Sequence, residues 1–250
     1  MAGILILAVV MLMAVPSSGR AQTQWQKVPG AASDIAIADD GTVWIIGRVT
    51  EKAETSGDAD EIGKKRKKAK KNKKKGSDTA IYRLDGETGR WIKAGEKGWR
   101  IAVAGQAPWV IDRKGRIARL NGQKWKQIRK SPRAVDIGAS AKGVWVLAKP
   151  KVGRKDYTVY RWTGKAWSKV SGGGVRIAVD SDGNPWVAND KGELNAHIGG
   201  TWKRFMSPAA GDLAIRGHNA PLVVDRKGAI HIYKPTQKKW LDLKGRALYT

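Results

Sequence analysis

Cysteine is absent from the chain, which excludes disulfides, thiolate metal sites and a lipid-modified cysteine anchor. Phenylalanine occurs once and histidine three times. The core must therefore come from Trp, Ile, Val, Leu and Ala. The histidines, His197, His218 and His231, lack the short spacing of metal ligands; His197 and His231 fall in strand patterns and read as packing residues. There is no G-x-S-x-G elbow and no P-loop. The glycine run Gly172 to Gly174 precedes a strand pattern, so no helix N-terminus is there to cradle phosphate. Asp39, Asp40, Asp180 and Asp182 read first as hairpin-turn residues. These absences lead us to expect a protein that is not an enzyme and uses no cofactor and no metal.

Long apolar runs are missing too, with one exception. Ile4 to Val15 is a twelve-residue run, too short to span a bilayer. Pro16, two serines and the small-x-small site Gly19-Arg20-Ala21 follow it, the pattern of an export signal over residues 1–21. The expected mature chain is one domain, residues 22–250, exported to a periplasmic or secreted location.

What is plentiful is tryptophan, glycine and positive charge. Trp25, Trp91, Trp125, Trp167, Trp202 and Trp240 each open a W-x-x-[VIL]-like segment. The later ones are spaced by 34, 42, 35 and 38 residues. The first spacing, 66, falls to 38 once the 28-residue insert Glu51 to Asp78 is set aside. A period near 40 marks repeats that bury their aromatics only by stacking on copies of themselves. A second tryptophan, at Trp44, Trp109, Trp145 and Trp186, lies in hairpin patterns such as RIAVAGQAPWVI (Arg100 to Ile111) and RIAVDSDGNPWVA (Arg176 to Ala188). Each hairpin is followed by a third strand, for example IYRL at Ile81 to Leu84, and a turn leads to the next opening Trp. Four antiparallel strands per repeat make a blade, so the expected fold is an all-β propeller. Five repeats are complete. A sixth blade would have to be pieced together from Trp25 to Val28 and Ala247 to Tyr249 without its middle, and five blades are the favoured count.

These segments resemble the tectonin-type β-propeller repeats of fish-egg lectins. The shared pattern is W-x-x-[VI]-x-G…[DR]-I-A-[VI]…D-G-x-x-W-V…I-Y-R, best matched at Trp25 to Ile46, Trp167 to Ala188 and Ile81 to Arg83. The resemblance implies six blades and a binding role; such propellers serve as lectins, lipopolysaccharide binders and adaptors.

The net charge is +26. The insert, residues 51–78, begins acidic and ends in Lys64, Lys65, Arg66, Lys67, Lys68, Lys70, Lys71, Lys73, Lys74 and Lys75, a composition expected to be disordered. It accounts for only +5, so the rest of the chain carries +21. With the strand before the first turn innermost, the loops joining second to third strands and those joining blades share one face. That face collects Asp112 to Arg116, Lys149 to Asp156, Arg129 to Arg133, Asp225 to Gly228, Lys244 to Arg246 and the insert. The candidate ligand contacts are the ten basic residues of the insert together with Trp99, Arg113, Lys114, Arg129, Lys130 and Arg133. Trp99 stands where other repeats have Ser33, Val135, Val175 and Gly211. The expected partner is an anionic glycan or lipopolysaccharide, or an anionic membrane surface. A protein partner is the alternative, and nucleic acid ranks last for an exported chain. At the start of each inner strand the sign alternates, Asp34, Arg100, Asp136, Arg176, Asp212, a pattern suited to ion pairs between blades.

Overall fold

A computed structural model describes residues 31–49 and 79–247, with the backbone of Val9–Val10 and Gln26–Lys27. The export signal, Trp25, the lysine-rich insert and its ten candidate contacts lie outside the described residues, apart from those two short strands, which pair antiparallel.

Five four-stranded antiparallel sheets follow in chain order, each with strands adjacent in sequence also adjacent in space. Blade one is Ala31–Ile37, Val43–Arg48, Ala80–Leu84 and Trp91–Gly95. Blade two is Arg100–Ala104, Ala107–Ile111, Ile117–Asn121 and Lys124–Gln127. Blade three is Ala134–Ser140, Gly143–Val152, Asp156–Trp162 and Trp167–Gly174. Blade four is Arg176–Val179, Pro185–Ala188, Leu194–Ile198 and Thr201–Phe205. Blade five is Ala210–Arg216, Ala220–Asp225, Ala229–Lys234 and Lys239–Arg246. The protein is a five-bladed β-propeller. A single 3-10 turn, Pro235–Gln237, is the helical content of the described residues, and no described helix could cross a membrane.

The two tryptophan series do different work. Those on second strands are buried between blades: Trp44 packs with Ile101, Val103 and Val110 of blade two, and Trp109 with Ile137, Val144 and Val146 of blade three. Trp145 and Trp186 repeat the contact one blade further on. Burying one indole removes roughly 150–250 Å² from water, about 4–6 kcal/mol of transfer free energy before ordering entropy is set against it. Directly opposite each lies a small residue: Ala36, Ala102, Gly138 and Ala178. Sheets approach so closely here that a Cβ on Gly138 would sit 3.0 Å from the backbone of Ala178.

The opening tryptophans lie half-buried on the outermost strands and reach back to the preceding blade. Trp125 Nε1 donates to Ala94 O (2.7 Å), Trp202 to Ser171 O (2.6 Å) and Trp240 to Met206 O (2.7 Å). Trp167 Nε1 donates to Ser131 Oγ at 3.2 Å. The period of the repeat is thus the period of a stitch between neighbouring blades.

One expectation is corrected. Lys149 to Asp156 is not a loop but the end of a long hairpin, with Lys151 opposite Tyr157 and Val152 opposite Asp156. The alternation of Val152, Tyr157 and Val159 with polar residues extends the pairing, and the Lys151 ammonium lies 5.3 Å from the Tyr157 ring. The glycine run is likewise part of a strand. Trp202 lies over Gly172, where a Cβ would come within 2.7 Å of its indole nitrogen.

Candidate functional site

In blades two, four and five the turns joining second to third strands share one construction. Asp112 Oδ1 accepts from the Lys114 and Arg116 N–H groups, Asn189 Oδ1 from Lys191 and Glu193, and Asp225 Oδ1 from Lys227 and Ala229. Each Asx residue closes its turn and turns the following basic side chain outward. The glycine of each turn then meets the chain leaving the same blade: Ala134 N–H donates to Gly115 O (3.0 Å), Ala210 to Gly192 O (2.9 Å) and Ala247 to Gly228 O (2.9 Å). These bonds put the turns and the connections between blades on one face.

In blade two this brings predicted residues together. Arg113 and Lys114 belong to the turn that holds Ala134, so they lie beside Arg133, with Arg129 and Lys130 on the connection just before it. All five are exposed, and none is paired with a carboxylate among the described residues. The Arg113 guanidinium carbon sits 4.3 Å from the centroid of the Trp99 ring, a stack worth about 0.5–1 kcal/mol at an exposed site. Trp99 keeps 37% of its surface exposed. Its N–H donates to Ile111 O at 2.6 Å, which fixes it at the start of the inner strand beside Arg100, 5.9 Å away. Between blades one and two a cavity of about 320 Å³ opens, bounded by Lys97, Asp112, Arg116, Trp125 and Gln127.

The face is less one-sided than the sequence implies, because Asp112, Asp156, Glu193 and Asp225 lie on it. Their carboxylates hold the fold. Burial alone would raise Asp112, but donation from Arg116 and Lys114 holds it below the usual carboxylate range. Asp156 accepts from Asp190 N–H at 2.7 Å and is raised by burial. Glu193 pairs with Arg204 at 2.9 Å. The acids support turns while the neighbouring arginines and lysines face solvent.

On the opposite face Asp180, buried, accepts from Asp182 N–H, Asn184 N–H, Asn184 Nδ2 and Trp186 Nε1 at 2.9–3.1 Å, so it anchors a hairpin. Asp182 pairs with Lys142 (3.2 Å) and His218 (2.6 Å). His197 packs against Trp145 and Trp202. His231, expected to be a packing residue, instead bridges Asp225 (3.3 Å) and Asp242 (2.5 Å). No group of three His, Asp or Glu side chains among the described residues is placed to hold a metal.

Around the axis the alternating charges meet as ion contacts. Arg100 lies 3.8 Å from Asp34 and 3.7 Å from Asp136, and Arg176 lies 3.4 Å from Asp212. Asp34 and Asp136 also accept the N–H of Ile101 (2.7 Å) and Ile177 (3.0 Å) from the next inner strand. Burial outweighs the arginines and pushes Asp34 up to about 7 and Asp136 up to about 6.

Fold and site together define a class, a five-bladed β-propeller with unpaired basic residues and one aromatic clustered on one face. No protein-family model and no curated protein matches the chain. Among solved structures it is similar to YCF48 bound to D1 peptide, at 15% identity over 99% of this chain and 80% of that one, with a TM-score of 0.54. YCF48 from Cyanidioschyzon merolae is similar at 13% identity over 84% and 70%, with a TM-score of 0.50. PorZ, a surface component of the type-IX secretion system of Porphyromonas gingivalis, covers 86% of this chain with 28% of its own length, at 9% identity and a TM-score of 0.43. The likeness is one of fold.

Proposed function

We propose that the chain is an exported, non-enzymatic scaffold whose basic propeller face docks an acidic segment of a protein partner. The observation that carries the proposal is the cluster around Trp99: an aromatic stacked by Arg113, on the same face as the exposed Lys114, Arg129, Lys130 and Arg133. An extended acidic peptide offers carboxylates to the unpaired cations and an apolar side chain to Trp99. The likeness to a propeller bound to a peptide gives a protein ligand some support over the glycan first expected from sequence. The basic insert is rooted on the same face, between Val49 and Thr79, and would add long-range attraction that salt screens.

Calorimetric titration of the full chain at 50 and 200 mM salt tests this, with an Asp/Glu-rich decapeptide carrying one leucine, lipopolysaccharide and an acidic polysaccharide as separate ligands. The peptide is expected to bind, about tenfold more weakly at the higher salt and about tenfold more weakly in Arg113→Glu or Trp99→Ala. Binding of lipopolysaccharide or polysaccharide without the peptide would return the glycan reading. N-terminal sequencing of protein recovered outside the cytoplasm should begin at Gln22; an intact Met1 there would refute cleavage.

A further inference from the structure

The charge series around the axis has a gap. Each arginine lies between two aspartates: Arg100 between Asp34 and Asp136, and Arg176 between Asp136 and Asp212. Alternation closes a ring only when the number of strands is even. Five inner strands leave Asp212 and Asp34 on either side of a place where, among the described residues, no arginine stands. The backbone pattern stops there as well. Asp34 and Asp136 reach the N–H of the next inner strand, whereas Asp212 turns back to the N–H of Leu213 at 2.9 Å. Its side chain is 46% exposed, against 21% and 10% for the other two.

Apolar packing is open at the same seam. Ile101, Val103, Ile137, Ile177 and Val179 are 4–9% exposed, each covered by the preceding blade. Their counterparts in blade one, Ile35 and Ile37, are 40% and 59% exposed. On the blade-five side Ala214 is exposed where Ala102 and Gly138 are buried and Ala36 and Ala178 half-buried, and Leu222 stands where the other four blades have Trp. The Ala247 to Gly228 bond repeats the ones that lead the chain into blades three and five.

Both strands that lie between two aspartates have the same sequence, Arg-Ile-Ala-Val, at Arg100 to Val103 and at Arg176 to Val179. We infer that the seam between blades five and one is a second docking position, which takes an extended segment of a partner protein with Arg followed by alternating branched aliphatic residues. The arginine lies between Asp212 and Asp34, and the aliphatic side chains cover Ile35 and Ile37. The strand sits as an additional inner strand beside the others around the axis, as Arg100 to Val103 lies beside Ala31 to Ile37 without joining its sheet. The docking position is separate from the basic face, and the opposite charge of its ligand distinguishes the two.

The probe is a labelled peptide with the sequence of Gly174 to Ser181, GVRIAVDS, titrated into the full chain by fluorescence anisotropy, with a Glu-for-Arg peptide as control. The Arg peptide is expected to bind saturably and at least tenfold more tightly than the control. Asp212→Lys should reverse that preference, and Ile37→Ser should weaken both peptides. Hydrogen exchange should slow at Ile35 to Ile37 when the Arg peptide binds. Circular dichroism confirms that both variants fold; Ile37→Ser, at a largely exposed position, serves if Asp212→Lys does not. No saturable binding, or equal binding of the two peptides, overturns the inference. So does slow exchange at Ile35 to Ile37 in the free monomer, which would mean that another segment of this chain fills the seam. Concentration-dependent dimerisation lost in Ile37→Ser would assign the seam to a second copy and overturn it equally.

Discussion

Removing the two acids that flank Arg100, Asp34 and Asp136, should change the pH dependence of stability in a specified direction. Asp34 is raised to about 7 and Asp136 to about 6, from an ordinary value of 3.8, chiefly by burial. In the unfolded chain both lose their protons near pH 4. Between pH 4 and 7 the native state therefore holds more protons than the unfolded state, and stability falls as pH rises. The contribution is complete below pH 4 and lost by about pH 7. At about 1.4 kcal/mol per pH unit of displacement, the separate limits are about 4 kcal/mol for Asp34 and about 3 kcal/mol for Asp136. The acids share Arg100, so they titrate together, and a fifth of the Asp34 side chain still meets solvent. About 3 kcal/mol for the pair is the expected loss.

The assay is urea unfolding of the wild type and the Asp34→Asn, Asp136→Asn double variant from pH 4.0 to 7.5 at fixed ionic strength. Asparagine keeps an oxygen for the Ile101 and Ile177 N–H groups, so the backbone link between blades survives. Subtracting the two curves removes what both proteins share, including the changing repulsion of a strongly cationic chain. Carboxylates held low, such as Asp112 and Asp182, act in the opposite sense and mainly below pH 4. The wild type should lose about 3 kcal/mol relative to the variant across the window. A difference constant to within 0.5 kcal/mol, or one of opposite slope, would refute burial as the dominant influence on these groups.

Trp202→Phe removes one indole donor to Ser171 O and should lower stability by about 1 kcal/mol in urea melts. Trp186→Phe should have a larger effect, about 1–3 kcal/mol beyond the loss of packing, because it takes a donor from the buried Asp180 carboxylate; the reverse ranking would contradict the roles assigned to the two series. Gly183 has φ +86° and a Cβ there would lie 2.9 Å from Lys142 O, whereas Gly199 has φ +62° with open space around it. Alanine at Gly199 should cost about 1–2 kcal/mol for the left-handed backbone, and alanine at Gly183 at least 1 kcal/mol more in thermal melts; equal effects would mean that the hairpin yields to the added methyl.

Much of this architecture was legible because a strand writes its two faces with period two and a blade writes its neighbours with period near 40. Ala36 opposite Trp44, repeated as Ala102 opposite Trp109, is visible in the letters as I-A-[VI]…W and becomes a small residue facing a large one. The end of the hairpin at Lys149 to Asp156 was hidden because Lys, Pro and Gly mimic loop composition while Val152 and Tyr157 carry the pairing. Trp99 was found as an aromatic off the repeat, and Arg113 by charge. Their contact was not readable, since it depends on the bond from Trp99 N–H to Ile111 O, which sets the chain entering blade two beside the turn that carries Arg113. His231 was misjudged for a similar reason: Asp242 faces it from the adjacent strand, and the register sets that pairing.

Ring closure is harder to read than any blade, because every local rule is satisfied before the last blade meets the first. The tryptophan, the small residue opposite it and the Asx turn each refer only to the next repeat. Charge sign is the exception, since strict alternation around a circle depends on whether the number of members is odd or even. Two arginines can each bridge two of three aspartates, and among the described residues the aspartates at the ends then have no arginine between them. Bringing two carboxylates together in a low-dielectric channel is unfavourable, and Asp34 is already raised with Arg100 beside it. The series that stitches four junctions therefore opposes the fifth, and the exposure of Ile35 and Ile37 lies at the junction where that opposition falls.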